Sequence, residues 1–429
     1  MDVGWRPYRG GVLQADVAVV GAGPAGVAAG IVLARAGRDV VVIDKATFPR
    51  DKTCGDGLTT GALRELEALG FDPASVPSWQ RVHDVWIGAP GRDAVRYPLP
   101  PGPGTYAAVA PRLELDAALV DLARAAGVRV EEGRTLVAAA ATAGCVRLDV
   151  EGLGGVEVAS VIGADGTWSP LRRLLGLGTP GYRGEWYALR QYLRGVAPAA
   201  AADLFVWFEP DILPGYIWSF PLPDGRANVG YGVERGGRVP VGDLAARWPE
   251  LLARPRVREV LGPDAAPEGP PRAWPIPARV DRVPLTDPTG RALFVGDAAA
   301  ASDALTGEGI GQALLTGRLA AEAVLAGPTP SDAGPAYAAA VGRELVPDAR
   351  ASRALVRVLR HEHGARGAVR ISGATGWTRR NFARWLFEDY PRAWLATPRR
   401  WSRHSFTGPG AWVDDGSPRA DGAAASRPV

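Results

Sequence analysis

A glycine-rich turn at residues 21–26, reading GAGPAG, constrains the fold of this chain more than any other feature. Residues 16–20 before it form a short apolar run with β-branched side chains, which predicts a buried parallel strand. Small residues at 25–36 predict a helix that ends at Gly37, and residues 39–43 predict a second strand closed by Asp44. Together these segments predict a β-α-β unit of about thirty residues.

The spacing of the glycines is that of a dinucleotide-binding turn. Gly21 permits the tight turn, Gly23 lets the backbone approach a pyrophosphate, and Gly26 lets the helix pack closely on the strand. The helix N-terminus offers unpaired N–H groups to phosphates, and the Asp44 carboxylate can accept hydrogen bonds from a ribose. The alternative is a glycine-rich turn that binds nothing. The predicted binding residues of this unit are Gly21, Gly23, Pro24, Ala25, Gly26, Asp44 and Lys45.

Bulk composition limits the function classes. The 429 residues carry a formal net charge of +3 without a dense Lys/Arg run, so nucleic-acid binding is not expected. The two cysteines, Cys54 and Cys145, have no metal-ligand spacing, and they predict a reducing, cytoplasmic setting without a metal site. Polar residues interrupt the first fourteen positions, and no stretch of eighteen apolar residues occurs, so neither a signal peptide nor a transmembrane helix is expected.

The pattern of predicted elements along the chain indicates an α/β (α+β) fold in which a Rossmann-like dinucleotide-binding domain is interleaved with an antiparallel-sheet substrate domain. A C-terminal helical region follows, in which residues 336–397 are predicted to be helical. Individual predictions include helices at 58–69, 112–126 and 309–326, an antiparallel sheet over 204–231, and an irregular leader at 1–14. The predicted limits are 1–75, 107–180 and 280–330 for the dinucleotide-binding domain, 76–106 and 181–279 for the substrate domain, 331–413 for the helical region and 414–429 for a disordered tail.

Two further segments favour FAD over NAD. Residues 162–166 read IGADG, and residues 293–299 read LFVGDAA and lead into TGEGI at 306–310. Both resemble fingerprints of glutathione-reductase-like and hydroxylase-like flavoproteins, although each alone could be an ordinary strand-turn-helix junction. In such flavoproteins the later aspartate, here Asp297, bonds the ribityl chain, and a helix starting near Gly309 points its N-terminus at the flavin. The resemblance adds Asp165, Gly166, Gly296, Asp297, Gly307, Gly309 and Ile310 to the cofactor residues.

Two stretches are more specific than these flavin motifs. Residues 48–58 read FPRDKTCGDGL, and residues 214–221 read PGYIWSFP, followed by NVGYG at 228–232. From about residue 15 to 326 the chain resembles the geranylgeranyl reductase family of FAD-dependent oxidoreductases, which includes actinobacterial menaquinone-chain reductases. The resemblance implies reduction of C=C bonds in an apolar, isoprenoid small-molecule substrate.

The resemblance also implies roles for particular side chains. It places the loop of Lys52, Cys54 and Gly55 near the flavin ring, with Cys54 either an active-site thiol or a small packed residue. Tyr216, Trp218 and Phe220 alternate along one strand face, which suits a substrate pocket and a sheet core equally. Cys54, Tyr216 and Trp218 are therefore the catalytic candidates. Arg112 is either a cofactor contact or a surface arginine.

Several alternatives remain open at the level of the sequence. Asp303-Ala304 stands where the family usually has Asn-Pro, which puts the substrate and the reaction in doubt. An FAD-dependent monooxygenase of a small apolar or aromatic metabolite shares the flavin motifs, and a non-catalytic FAD- or lipid-binding protein is a third reading. A flavin halogenase fits less well, because its Trp-x-Trp-x-Ile-Pro motif is not matched. No second GxGxxG occurs in a β-α-β context, so NAD(P)H or an external electron donor is expected to bind only transiently.

The C-terminal region mixes aromatic residues with arginines at 377–387 and 390–401. Such stretches suit peripheral contact with a membrane or an entrance for a polyprenyl lipid. They suit equally a helical cap over the substrate domain with exposed arginines. No sequence feature fixes an oligomeric state.

Overall fold

A computed structural model of the chain describes residues 12–401 and 406–413. The predicted disordered tail and most of the predicted leader lie outside these residues. Eighteen strands are present in the described part of the chain. They are β1 Leu13–Val20, β2 Val40–Ile43, β3 Gly57–Leu58, β4 Gln80–Arg81, β5 Asp84–Gly88, β6 Val95–Pro98, β7 Ala108–Val109, β8 Arg129–Glu131, β9 Leu136–Ala141, β10 Val146–Val150, β11 Gly154–Gly163, β12 Trp186–Arg194, β13 Leu204–Trp207, β14 Tyr216–Leu222, β15 Arg226–Glu234, β16 Ala266–Pro267, β17 Arg272–Ile276 and β18 Ala292–Phe294.

Twelve α-helices complete the described structure. They are α1 Pro24–Arg35, α2 Thr60–Ala68, α3 Arg112–Ala125, α4 Pro170–Leu174, α5 Pro198–Ala202, α6 Leu244–Leu252, α7 Pro255–Leu261, α8 Ile310–Ala326, α9 Ala333–Glu344, α10 Val346–Leu359, α11 Glu362–Ser372 and α12 Gly376–Leu386. None of these described helices is both long enough and apolar enough to cross a membrane.

The first sheet has seven strands and holds the predicted β-α-β unit. Its order is β8-β2-β1-β11-β10-β9, with β18 paired to β11. β1 pairs in parallel with both β2 and β11, and the helices α1 and α8 pack against each other beside it. The four residues of β2 are all buried, as expected for a parallel strand covered on both faces. β1 begins at Leu13, so the prediction of an irregular leader was wrong at residues 13 and 14.

The second sheet has eight strands in the order β16-β12-β15-β14-β13-β5-β6, with β17 paired to β12. Its pairs are antiparallel except β13–β5, which is parallel. The prediction of an antiparallel sheet is therefore correct for β13–β15, but it did not include the pairing of β5 with β13. β12 carries the buried polar residues Arg190 and Gln191, which hide its apolar pattern. The predicted fold class is confirmed, while the exact domain limits remain a prediction.

The C-terminal helices cover the edge of the second sheet. α12 packs against β6, and the Tyr97 hydroxyl lies 2.7 Å from Ser372 Oγ and donates to the Val369 carbonyl at 3.2 Å. The prediction of helix through residue 397 was wrong beyond α12, because 387–397 consists of turns and one short 3₁₀ segment. This arrangement matches the helical-cap alternative for the region.

Candidate active site

One large cavity of about 800 Å³ lies between the two sheets and the C-terminal helices. This volume is in the upper part of the range of roughly 300–1,000 Å³ for ligand pockets. Every cofactor or catalytic candidate from the sequence except Gly26 lines it. These residues are Gly21, Gly23, Pro24, Ala25, Asp44, Lys45, Lys52, Cys54, Gly55, Arg112, Asp165, Gly166, Tyr216, Trp218, Gly296, Asp297, Gly307, Gly309 and Ile310.

The glycine-rich turn has the close approaches that its spacing predicts. Gly21 has φ +108°, and a Cβ atom there would lie 2.2 Å from the Ala164 carbonyl oxygen. At Gly26 a Cβ atom would lie 1.8 Å from the Gly21 carbonyl oxygen. Gly26 therefore allows α1 to pack closely against the turn, and it does not line the cavity.

The N-terminus of α1 opens into the cavity without a competing anion. No side chain caps it, and its first turn contains no acidic residue. The Arg50 guanidinium lies beside it, with Nη2 3.7 Å from the position of a Cβ atom on Gly23. Asp44 accepts hydrogen bonds from the backbone N–H groups of Ala22 at 2.7 Å and Ala46 at 2.8 Å. A helix dipole, free N–H groups and an arginine together favour a phosphate group here.

A buried carboxylate holds two arginines at the cavity wall. Asp116 is fully buried and accepts bonds from Arg112 Nε at 2.6 Å and Nη2 at 2.8 Å. Arg50 Nη1 lies 3.0 Å from the same carboxylate. Because Arg112 is only 8% exposed, the surface-arginine alternative was wrong. Sequence reasoning missed Asp116 and Arg50, although the i, i+4 spacing of Arg112 and Asp116 on α3 was a usable signal.

Two aspartates line the cavity near the ends of β11 and β18. Asp165 Oδ2 accepts a hydrogen bond from the Leu171 N–H at 2.8 Å, whereas its buried Oδ1 has no partner among the described residues. Burial raises the pKa of Asp165 to about 6. The Asp297 carboxylate accepts bonds from Thr167 at 3.1 Å and Ser302 at 3.3 Å. Both aspartates retain acceptor capacity for ligand hydroxyl groups.

The loop at 303–309 leads into α8 at the same wall. Gly307 has φ +71°, and Gly309 precedes the first turn of α8, which has no acidic residue. Asp303 accepts hydrogen bonds from the N–H groups of Leu305 at 3.0 Å and Thr306 at 2.9 Å. Asp303 stands where the family usually has asparagine. Its carboxylate therefore stabilises this turn by accepting hydrogen bonds from the backbone.

The Cys54 loop is fastened to the second sheet by a buried network. Asp56 is fully buried and accepts bonds from the Tyr192 hydroxyl at 2.6 Å and Asn228 Nδ2 at 2.7 Å. Asn228 Nδ2 also donates to the Cys54 carbonyl at 2.8 Å. Burial raises the pKa of Cys54 to about 11, so its side chain is a neutral thiol at pH 7. Asn228 was predicted only as part of a motif, and its contact with the Cys54 loop was not predicted.

We expect Asn228→Ala to lower the free energy of unfolding by about 1–3 kcal/mol, because it leaves a buried carbonyl and carboxyl short of donors. Denaturant unfolding measures the loss. Asn381→Ala is the control, since among the described residues the Asn381 side chain donates only to the Trp377 carbonyl, at an exposed helix surface. Equal stability of the two variants would contradict the assigned role of Asn228.

The aromatic stripe on β14 faces the cavity. The Tyr216 hydroxyl donates to the Thr306 carbonyl, and Trp218 Nε1 donates to Asn228 Oδ1 at 3.2 Å. Phe220 lies against the Cys54 loop, where a Cβ atom on Gly57 would be 2.9 Å from its ring. The stripe therefore forms a pocket wall and links the second sheet to both cofactor-side loops.

A cluster of buried charges beneath the 303–309 loop was not predicted. Glu308 Oε1 accepts a hydrogen bond from the Gly311 N–H at 2.7 Å, and Glu388 Oε1 accepts one from Gln312 at 2.7 Å. Arg392 Nη2 lies 3.4 Å from Glu388, and its Nε lies 3.5 Å from Asp303. Burial and the neighbouring Glu388 raise the pKa of Glu308 to about 8. Since Glu388 and Arg392 are about 80 residues further along the chain, only tertiary structure brings them to Glu308.

The charged end of the cavity is the part lined by Arg50, Arg112, Asp165 and Asp297. Away from this end, the cavity wall is apolar. The strands β5 and β13 and the C-terminal helices supply this wall, and none of the described residues that line the cavity from these elements is charged. The residues are Ile87, Leu204, Val206, Phe208, Leu355, Val358, Leu359, Ala365, Ala368, Val369, Phe382, Trp385, Leu386 and Phe387.

Comparisons with known proteins show which family this chain belongs to. The FAD binding domain family matches residues 14–206. The chain is 39% identical over 324 residues to the menaquinone reductase of Mycobacterium tuberculosis, covering 72% of this chain and 76% of the relative. It is 32% identical over 326 residues to digeranylgeranylglycerophospholipid reductase 1 of Methanopyrus kandleri, covering 72% of this chain and 80% of that relative. The chain belongs to the geranylgeranyl reductase family of FAD-dependent oxidoreductases.

A solved structure shares the fold of this chain. A geranylgeranyl bacteriochlorophyll reductase-like protein of Thermoplasma acidophilum superposes with a TM-score of 0.74 at 22% identity, covering 91% of this chain and all of that one. The predictions of family, FAD and oxidoreductase class are confirmed. The free N–H groups of α1, the Arg50 guanidinium and the unpartnered Asp165 oxygen fit the pyrophosphate and hydroxyl groups of FAD.

Proposed function

We propose that this reductase-family protein saturates C=C bonds in a polyprenyl chain, such as the side chain of a menaquinone-like lipid. The observation that carries the proposal is a single cavity that joins the FAD-binding turn to an entirely apolar compartment. A long hydrocarbon chain matches such a wall, since burial of each CH₂ group is favourable by about 0.8 kcal/mol. The names of the menaquinone and digeranylgeranyl lipid relatives support this substrate class.

Reduced FAD, when bound, supplies the hydride for one carbon of the double bond. The other carbon needs a proton, and an alkene without a carbonyl is a poor hydride acceptor, so a well-placed acid is required. The transient donor of electrons is proposed to be NAD(P)H or a separate reductant.

Glu308 is the proposed source of that proton. Its carboxyl is buried at the cavity wall in a cluster with Asp303 and Glu388, and in the described structure Arg392 is the only cation that forms an ion pair with any of these carboxyls. Three ionised carboxylates around one arginine would leave an uncompensated buried charge, so one carboxyl stays protonated. Burial raises the pKa of both Glu308 and Glu388, but the nearby Arg392 guanidinium counteracts the rise at Glu388, so the proposal places the proton on Glu308. Cys54 and Tyr216 are weaker acids, since burial raises the pKa of each above its usual value.

Anaerobic turnover tests the proposed reaction. The FAD-loaded protein is reduced with dithionite and mixed with menaquinone or a geranylgeranyl lipid in the absence of oxygen. Reoxidation of the flavin with a product that keeps two added hydrogen atoms in its prenyl chain after any quinol has been reoxidised in air supports ene-reduction. If the flavin stays reduced until oxygen enters and the product then gains an oxygen atom, the monooxygenase alternative replaces the proposal. If no candidate substrate reoxidises the flavin while FAD remains bound, the non-catalytic alternative is favoured.

A bulky residue in the apolar compartment tests where the chain binds. We expect Ala368→Phe to raise KM for a long polyprenyl substrate at least about tenfold, because the added ring occupies volume that hydrocarbon fills. A short prenyl substrate should be affected less. Ala374→Phe, on an exposed turn outside the cavity, is the control. The same KM change for both chain lengths would place the long chain elsewhere.

A further inference from the structure

Residues 346–401, which include α10, α11 and α12, carry a strong positive charge. They contain twelve arginines and four acidic residues, a net charge of +8 in a chain whose total is +3. Arg357, Arg370, Arg380 and Arg399 are exposed and form no salt bridge with any residue of the described chain. The buried Arg392 and the half-buried Arg384 pair with Asp303 and Asp389, whereas these four arginines face water.

The same region exposes an excess of apolar side chains. Ten large apolar residues are exposed in the described structure, and six of them lie in this region, which is about one seventh of its length. Ile371 is 73% exposed and Trp377 is 66% exposed. Concentrated apolar exposure of this kind marks a contact surface rather than ordinary surface variation. The six residues are Leu355, Val358, Ile371, Trp377, Leu395 and Trp401.

Charge and apolar exposure alternate on the helices. Arg370 is adjacent to Ile371 near the end of α11, and Trp377 and Arg380 are three residues apart on one side of α12. Apolar and aromatic side chains next to unpaired cations are typical of elements that lie in the interface of an anionic bilayer.

The apolar compartment of the cavity opens in this region. Leu355 and Val358 line the cavity, yet they are 37% and 51% exposed. These two residues of α10 therefore form an edge of its mouth. A hydrocarbon chain that enters between them would not cross the charged end of the cavity.

We propose that residues 346–401 dock this protein on an anionic lipid bilayer, with the mouth at Leu355 and Val358 facing the membrane so that a polyprenyl chain enters without crossing water. The choice of substrate rests on the proposed function, whereas the docking itself rests on charge and exposure. A second copy of this basic surface would repel the first, which argues against a self-association surface.

Vesicle binding tests the proposal directly. The FAD-loaded full chain is co-sedimented with vesicles of phosphatidylcholine alone or mixed with phosphatidylglycerol, at low and raised salt. We expect binding to the anionic vesicles only and weaker binding at raised salt. The double variant Arg370→Gln/Arg380→Gln should bind about 30-fold more weakly. Ile371→Ser/Trp377→Ser should also lose affinity while its net charge is unchanged.

Matched variants elsewhere keep the test specific. Arg38→Gln removes an exposed arginine after α1, and Val137→Ser removes a side chain 54% exposed on β9. Neither should change vesicle binding. Equal binding to neutral and anionic vesicles, or equal losses in the Arg38 and Arg370/Arg380 variants, would overturn the proposal. Because the assay reads binding rather than turnover, its result is independent of whether an alkene is reduced.

Discussion

Glu308→Gln is expected to lower kcat for alkene reduction by roughly 10²- to 10⁴-fold, the usual contribution of a positioned general acid. Glutamine keeps the shape of the side chain but has no proton to give. Since the pKa of Glu308 is about 8, the wild-type carboxyl is protonated below that value and loses its proton above it. Wild-type kcat should therefore fall as the pH rises through about 8, and the variant should lack this alkaline limb.

Two measurements separate a chemical role from a structural one. The variant should retain FAD, and the infrared band of a protonated carboxyl in the wild-type protein at pH 7 should disappear in it, with or without cofactor. Cys54→Ala is the control, because a thiol with a pKa of about 11 cannot produce a limb near 8. If Cys54→Ala removes the limb and Glu308→Gln does not, the proton comes from the cysteine side of the cavity.

Gly26→Ala is expected to abolish stable FAD binding. Its Cβ atom would lie 1.8 Å from the Gly21 carbonyl oxygen, and both groups belong to backbone that cannot move without opening the turn. The overlap should cost about 3 kcal/mol, in the upper part of the range for overpacking, and weaken FAD binding by at least about 100-fold. The flavin absorbance of the purified protein and thermal unfolding measure the two effects.

Gly342→Ala is the matched control for this substitution. Gly342 lies within α9, and a Cβ atom there meets no heavy atom within 4 Å. Alanine is also the better helix former, so this variant should be about 1 kcal/mol more stable and keep its flavin. Full FAD content in Gly26→Ala would contradict the described approach of α1 to the turn.

The parts of the site that the sequence predicted are those encoded locally. The turn at Gly21, the acidic end of β2 and the start of α8 each combine a short motif with the element on which it lies. The aromatic stripe was ambiguous, because alternation on β14 predicts one buried face but not what covers it. The three-dimensional structure resolves this ambiguity by placing the stripe on the cavity wall.

The parts that the sequence did not predict depend on distant segments. Glu388 and Arg392 meet Glu308 only after the C-terminal helices fold back, and no local periodicity marks them. The link from Asp56 to Asn228 joins residues 172 positions apart. The parallel pairing of β5 with β13 was missed for the same reason, since strand propensity does not specify a partner.

The position of Arg392 has a consequence for recombination between relatives. Asp303, in the turn before α8, contacts Arg392 beyond α12 and also accepts a hydrogen bond from Ser352 on α10. A chimera that exchanged the C-terminal helices to alter chain-length preference would leave Asp303 opposite a foreign partner. Residues 303–309 and 346–392 thus depend on each other for their contacts. A chimera with a crossover between these two segments should fold poorly unless both segments come from the same relative.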